Sequence, residues 1–161
     1  MKNLILIRHA KSSWDIPCQD IERQLEQRGI DDAHLVTINS IKYLPQNFVI
    51  YSSSAKRARE TALIFAKTSL YSFESIVFTD ELYTFDEIKL EKIIKSIGND
   101  FENVILFGHN EAITNFVNKF GDVFIDNVPT SGLVWLQFET DNWQKISKGK
   151  TQKTIFPRNL K

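Results

Sequence analysis

This chain of 161 residues has one cysteine, four prolines and six glycines, and its twenty basic and twenty acidic side chains cancel. With Cys18 alone, no internal disulfide can form, and the composition suits a reducing compartment. The N-terminus offers one lysine and then only LILI before Arg8, too short for the apolar core of a signal peptide. No apolar run approaches the length of a membrane span. The expectation is a soluble, cytoplasmic protein. Zero net charge supplies no global field to recruit nucleic acid or an anionic membrane, so any basic site must be local. No Gly-x-Gly-x-x-Gly and no Walker lysine follow a predicted strand, which removes the common nucleotide-binding loops.

What is present is an ordinary core. Hydrophobic residues make up 42% and aromatic residues 12%, which argues against disorder. The length fits one domain, residues 1–161, able to bury a core without staples. Apolar runs at Asn3–Ile7, Phe48–Tyr51, Ser75–Phe78 and Val104–Phe107 read as strands. Helical spacing follows each of the four: from Leu25 to Leu44, stopped by Pro45; from Ser53 or Ser54 as N-cap through Ala66; from Phe85 to Ile97; and from Ala112 to Phe120, closed by Gly121. Leu133–Phe138 is a fifth strand, and Trp143–Ser147 its expected hairpin partner after Thr140-Asp141-Asn142. Ile155-Phe156-Pro157 could add a short edge strand. Four strand–helix units and a hairpin predict a three-layer α/β/α sandwich with a mostly parallel central sheet.

In open sheets of this kind ligands bind beyond the carboxyl ends of the strands. Arg8-His9, Ser53 to Arg57, Asp80-Glu81 and His109 follow the four strands in turn. Two guanidiniums match phosphate oxygens bidentately, so the pairing of Arg8 with Arg57 calls for a doubly charged anion. A neutral imidazole such as His9 is a nucleophile at pH 7, and neighbouring cations keep it neutral. A second histidine, His109, can stabilise charge on the equatorial oxygens. Glu81 is the acid for the leaving atom, ahead of Asp80. Basic residues in the first turn of a helix, as at Lys56, Arg57 and Arg59, oppose its dipole and mark the segment further.

The motifs RHAKSSWD, SSAKRARETA and FGHN, in this order, resemble the histidine phosphatase (phosphoglycerate mutase-like) superfamily, and most of all its short phosphohistidine phosphatase branch of the SixA type. The resemblance runs from the first strand through IDNVPTSG to the closing hairpin. It implies that fold and a metal-independent, cofactor-free phosphatase. His9 would be the phosphorylated nucleophile, with Arg8, Arg57 and His109 as the phosphate pocket and Glu81 at the position of the family's acid. Ser12 and Asn110 are read as further substrate-binding residues. The partner would be a phosphorylated small molecule or a phosphohistidine protein. Ala10 stands where the family has glycine, Asp15 where its mutases have asparagine, and Gln24 where Pro-Leu is common.

Other readings compete. A cysteine phosphatase needs Cys-x5-Arg, but only four residues separate Cys18 from Arg23. A metal hydrolase built on His9, His109 and Glu81 lacks any His-x-x-x-His or Cys-x-x-Cys pair. A phosphate-binding module without catalysis stays open, as does a small-metabolite phosphatase or mutase of the same superfamily. Trp14 lies in the loop beside the pocket, at its mouth or simply packed. His34, inside the first helix, is a surface or half-buried histidine.

Overall fold

The first apolar run is the keel of the molecule. In the computed structural model, which describes residues 1–161, it forms β1 (Lys2–Arg8), whose Leu4, Ile5, Leu6 and Ile7 are all buried. The other strands are β2 (Val49–Ser53), β3 (Val77–Thr79), β4 (Asn103–Gly108), β5 (Leu133–Phe138) and β6 (Lys150–Ile155), in the sheet order β3-β2-β4-β1-β5-β6. The first four in that order run parallel; β5 is antiparallel to β1 and β6 to β5.

Alternation along β1 decides which helix covers which face. Ile5 and Ile7 pack with Ile50, Ile105 and Phe107 against Val36 of α1 (Gln27–Ser40) and Phe65 of α2 (Lys56–Thr68). Leu4 and Leu6 pack with Val104 and Leu106 against Ile94 of α3 (Glu87–Lys95) and Phe116 of α4 (Ala112–Phe120). Each fully buried side chain of this size contributes about 1.5–3 kcal/mol relative to exposure. The result is the three-layer α/β/α sandwich expected. No helix is long and apolar enough to cross a membrane.

Three local expectations are corrected. Trp143–Ser147 is not the hairpin partner: Trp143–Lys145 is a single 3-10 turn, and β6 at Lys150–Ile155 pairs with β5. Trp143 is fully buried, with its indole N–H donating to the Phe101 carbonyl at 2.7 Å, so its apolar signal came from the core under α3. Neither Ser53 nor Ser54 caps α2. Its N-cap is Ala55, whose N–H donates to Ser53 Oγ at 3.1 Å, while Ser54 donates to Asp80. The first and third helices are shorter than their apolar patterns, and Ile38 and Ile88 are exposed.

Register places the chemistry. Arg8 pairs with Gly108 across β1 and β4, and the His9 N–H donates to the Gly108 carbonyl at 3.1 Å. On the other side the Arg8 N–H donates to the Gly132 carbonyl at 3.0 Å, and the Ser131 N–H is shared between the carbonyls of Arg8 and His9. The end of β1 is thus held from both flanks.

Candidate active site

His9 follows directly on β1 and is 8% exposed. Its Nδ1 lies 2.8 Å from the Ala10 carbonyl, which only accepts, so Nδ1 carries the proton. Nε2 then holds the lone pair, and Arg57 Nε donates to it at 3.3 Å. Burial pushes the His9 pKa down to about 4; the fields of Arg57 and Arg8 add to this, against the Ala10 hydrogen bond. The side chain is neutral at pH 7, and its Nε2 lone pair is engaged by a guanidinium. Ala10, in place of glycine, is not strained: its φ is not positive, and its N–H donates to Thr61 Oγ1 at 2.9 Å.

His109 follows directly on β4 and is 1% exposed. Its Nε2 lies 2.8 Å from Ser53 Oγ, an oxygen that already accepts the Ala55 N–H. The Ser53 hydroxyl proton has no other acceptor and goes to Nε2. Nδ1 of His109 therefore carries the ring proton, and it has no partner in the protein. Burial, then the fields of His9 and Arg57, hold its pKa near 3, so this ring is also neutral. The two imidazole centroids are 5.2 Å apart, with Tyr83 and Phe85 packed edge-on against His109.

Arg57 projects from the first turn of α2 and is 2% exposed. Arg8 donates from Nη1 to the Val128 carbonyl at 2.9 Å, while its Nε is buried without a partner. Burial and the charge of Arg57 both lower the pKa of Arg8, the mark of two cations brought close. Only three buried side-chain polar atoms in the molecule lack a hydrogen-bond partner: Arg8 Nε, His109 Nδ1 and Ser131 Oγ. All three belong to the ends of β1 and β4 and the turn into β5, where Ser131 holds a left-handed φ of 63°. Buried unpartnered polar atoms are rare, and three at one end of a sheet mark that end as a candidate site.

Arg8, His9, Arg57 and His109 are thus brought together at one sheet edge. The remaining expected residues are placed otherwise. Glu81 is exposed in the 3-10 turn Asp80–Leu82, and its carboxylate has no hydrogen-bond partner. Ser12 is buried, but its hydroxyl accepts from Arg23 Nη2 at 2.6 Å. Asn110 is spent on structure, accepting the Thr114 N–H at 3.1 Å and donating to Asn127. Asp15 is exposed, and Trp14 is 73% exposed with the Arg23 guanidinium stacked on its ring. His34 is exposed.

Three residues at the mouth went unread in the sequence. Asp20, in the 3-10 turn Asp20–Glu22, accepts from Arg57 Nη2 at 2.9 Å through its carboxylate and from Arg57 Nη1 at 2.6 Å through its carbonyl. Tyr83 donates its hydroxyl to the same carboxylate. Arg23 bridges Asp20 and Ser12. The signal available for Tyr83 was its place two residues after Glu81; for Asp20 there was none, because it sits in a polar loop without periodicity.

Comparison with known proteins decides the family. Residues 4–90, more than half of the chain, match the histidine phosphatase superfamily (branch 1). The chain belongs to that superfamily. The matched stretch holds Arg8, His9 and Arg57; His109 lies beyond it. Among solved structures the histidine phosphatase fold is shared with SixA of Agrobacterium tumefaciens, a candidate phosphohistidine phosphatase. That chain is 24% identical, with a TM-score of 0.75 over 96% of this chain and 97% of the other. A protein histidine phosphatase SixA complexed with tungstate is 19% identical and superposes with a TM-score of 0.78 over 99% of both chains. An uncharacterized chloroplastic protein of Arabidopsis thaliana is 28% identical over 89% of this chain and 70% of its own length.

Proposed function

We propose that this histidine phosphatase superfamily member is a metal-independent hydrolase of phosphomonoesters or phosphohistidine, working through a covalent phosphohistidine on His9. The observation that carries the reading is the grouping of Arg8, His9, Arg57 and His109 at the ends of β1 and β4, with the two imidazole centroids 5.2 Å apart, Arg57 Nε on His9 Nε2, and Arg8 Nε and His109 Nδ1 left without partners. In the first step that lone pair attacks phosphorus and the bond to the leaving oxygen or nitrogen breaks, the leaving group keeping the electron pair. Arg8 holds the phosphoryl oxygens together with Arg57, whose Nε turns from His9 Nε2 to a phosphoryl oxygen as the lone pair attacks, and the His109 N–H stabilises the charge that spreads onto them. In the second step water attacks phosphorus, the P–N bond breaks, and the pair returns to Nε2. A neutral His9 is ready at pH 7 because burial has already lowered its pKa.

Glu81 acts in this scheme only where the leaving group needs a proton, since its carboxylate stands free in solvent beyond Tyr83. Imidazole and aryl leaving groups depart without it. A protein substrate of the SixA type is favoured over a small metabolite by the open rim, where Trp14 and Phe85 are 73% and 52% exposed. The test is rapid quench with p-nitrophenyl phosphate. Acid-labile, alkali-stable phosphate should appear on His9, and His9→Ala should reduce turnover to background. Wild-type turnover in that variant would overturn the assignment. Tight vanadate binding with no turnover of any phosphoester or phosphohistidine protein would turn the reading to a binding module.

A further inference from the structure

A guanidinium carries five N–H groups in a fixed plane, with one edge formed by the two terminal nitrogens and another by Nε and one of them. Arg57 uses the two edges differently. The terminal edge is closed by Asp20, carbonyl on Nη1 and carboxylate on Nη2, and the Nε edge faces His9. On the hydrolase reading the phosphoryl group takes the Nε edge beside His9, so Asp20 does not stand where it would bind. It stands beside that place, on the solvent side: its side chain is 42% exposed, while Arg57 behind it is 3% exposed.

In-line attack by His9 Nε2 requires the leaving atom on the far side of phosphorus. The groups that would hold the oxygens, Arg8 Nε, His109 Nδ1 and Ser131 Oγ, are all buried, so the leaving group projects toward the mouth. There it meets Asp20. The carboxylate cannot swing clear, because Arg57, Tyr83 and Arg23 each donate to it. Tyr83 reaches it from the segment after β3 and packs its ring on His109, so the Asp20–Tyr83 contact spans the entrance.

We infer that Asp20 is a specificity-determining residue that sorts substrates by the charge of the leaving group, favouring neutral or cationic groups and disfavouring anionic ones. This rests on the hydrolase reading above. Asp20 is ionised throughout the neutral range: partial burial raises its pKa, but the hydrogen bonds from Tyr83 and Arg57 outweigh that and hold it near 2. A carboxylated leaving group would bring like charges within several ångströms at a half-exposed site, a penalty of roughly five- to tenfold in rate. An imidazole or ammonium-bearing group escapes it.

Phenyl, 4-carboxyphenyl and 4-(aminomethyl)phenyl phosphates test this with the wild-type protein and Asp20→Asn. Asparagine keeps the acceptor toward Arg57 and removes the charge. Any loss of Arg57 support lowers kcat/KM for all three esters together, and their intrinsic reactivity cancels when the two proteins are compared. The preference for the aminomethyl over the carboxy ester should fall by more than about fivefold in Asp20→Asn, the carboxylate's penalty multiplied by any gain the ammonium makes; an unchanged preference would overturn the inference. The affinities of the matching arylphosphonates for the wild-type protein, read by calorimetry, should rank aminomethyl above phenyl above carboxy, and equal or reversed affinities would also overturn it. If no ester is turned over, the hydrolase reading fails, and the phosphonate ranking still judges the charge selection.

Discussion

Arg57 and Asp20 touch through two hydrogen bonds, yet they belong to different kinds of structure. Arg57 is part of the floor, with His9, Arg8, His109 and Ser131. Each of these is carried by the end of a strand or the first turn of a helix or is held to a strand end by backbone hydrogen bonds. Asp20 belongs to the rim, with Trp14, Arg23, Tyr83 and Glu81, on loops and single 3-10 turns. The floor is buried, and burial displaces the titrations of Arg8, His9 and His109; the rim is more exposed, and Asp20, Arg23 and Tyr83 in it are held by side-chain contacts. The floor is fixed by the sheet, and the rim is fixed by the floor. A perturbation of the floor should therefore be felt in chemistry on every substrate, and one at the rim in the choice among substrates.

The largest effect is expected at Arg57. Arg57→Lys keeps the charge but loses the fork that serves His9 and Asp20 at once, and kcat/KM should fall by about 100-fold or more on every phosphate ester. A loss of less than about threefold would mean that charge alone suffices there. Next comes acid stability. An unfolded histidine binds its proton near pH 6.5, whereas the folded protein protonates His9 at about 4 and His109 at about 3. Between those limits the unfolded state holds more protons, so stability is complete above pH 6.5 and declines as pH falls. The slope is about 1.4 kcal/mol per pH unit for each histidine. Urea midpoints from pH 7 to pH 4.5 should fall accordingly, and less steeply in His109→Gln; midpoints independent of pH would contradict the neutral, buried state of the two histidines. The smallest effect belongs to the rim. Glu81→Gln should cost less than about threefold with aryl phosphates and more with alkyl phosphates, where a proton is needed. An equal loss on both would make Glu81 a positioning group.

The same division explains what could be read from the residues alone. Arg8, His9 and His109 are announced by apolar runs of four or five residues, a local signal that survives without tertiary information. Arg57 is announced by a cation where a helix dipole disfavours one. Asp20 acquires its place through Arg57, 37 residues further on, and nothing around it in the chain marks that contact. Ser53 looked like a cap because hydroxyls near helix starts usually are; its proton goes instead to His109. Trp143 looked like part of a strand because burial under a helix and burial in a sheet leave the same apolar trace. The rim residue chosen from the sequence, Glu81, has no partner, while Tyr83 two positions later closes the mouth.

The sheet order has one more consequence. β4 lies between β1 and β2, so the strand that leads to His9 and the strand that leads to Arg57 are joined only through residues 103–108. A nascent chain that has released both arginines and His9 still has no pocket. The gap between β1 and β2 is filled by the very strand that delivers His109, and β5, which follows the turn holding Ser131, then closes the other flank of β1. The pocket is complete only when β1 is paired on both flanks, so phosphate binding should report on the long-range pairing of β1 with β4 and β5.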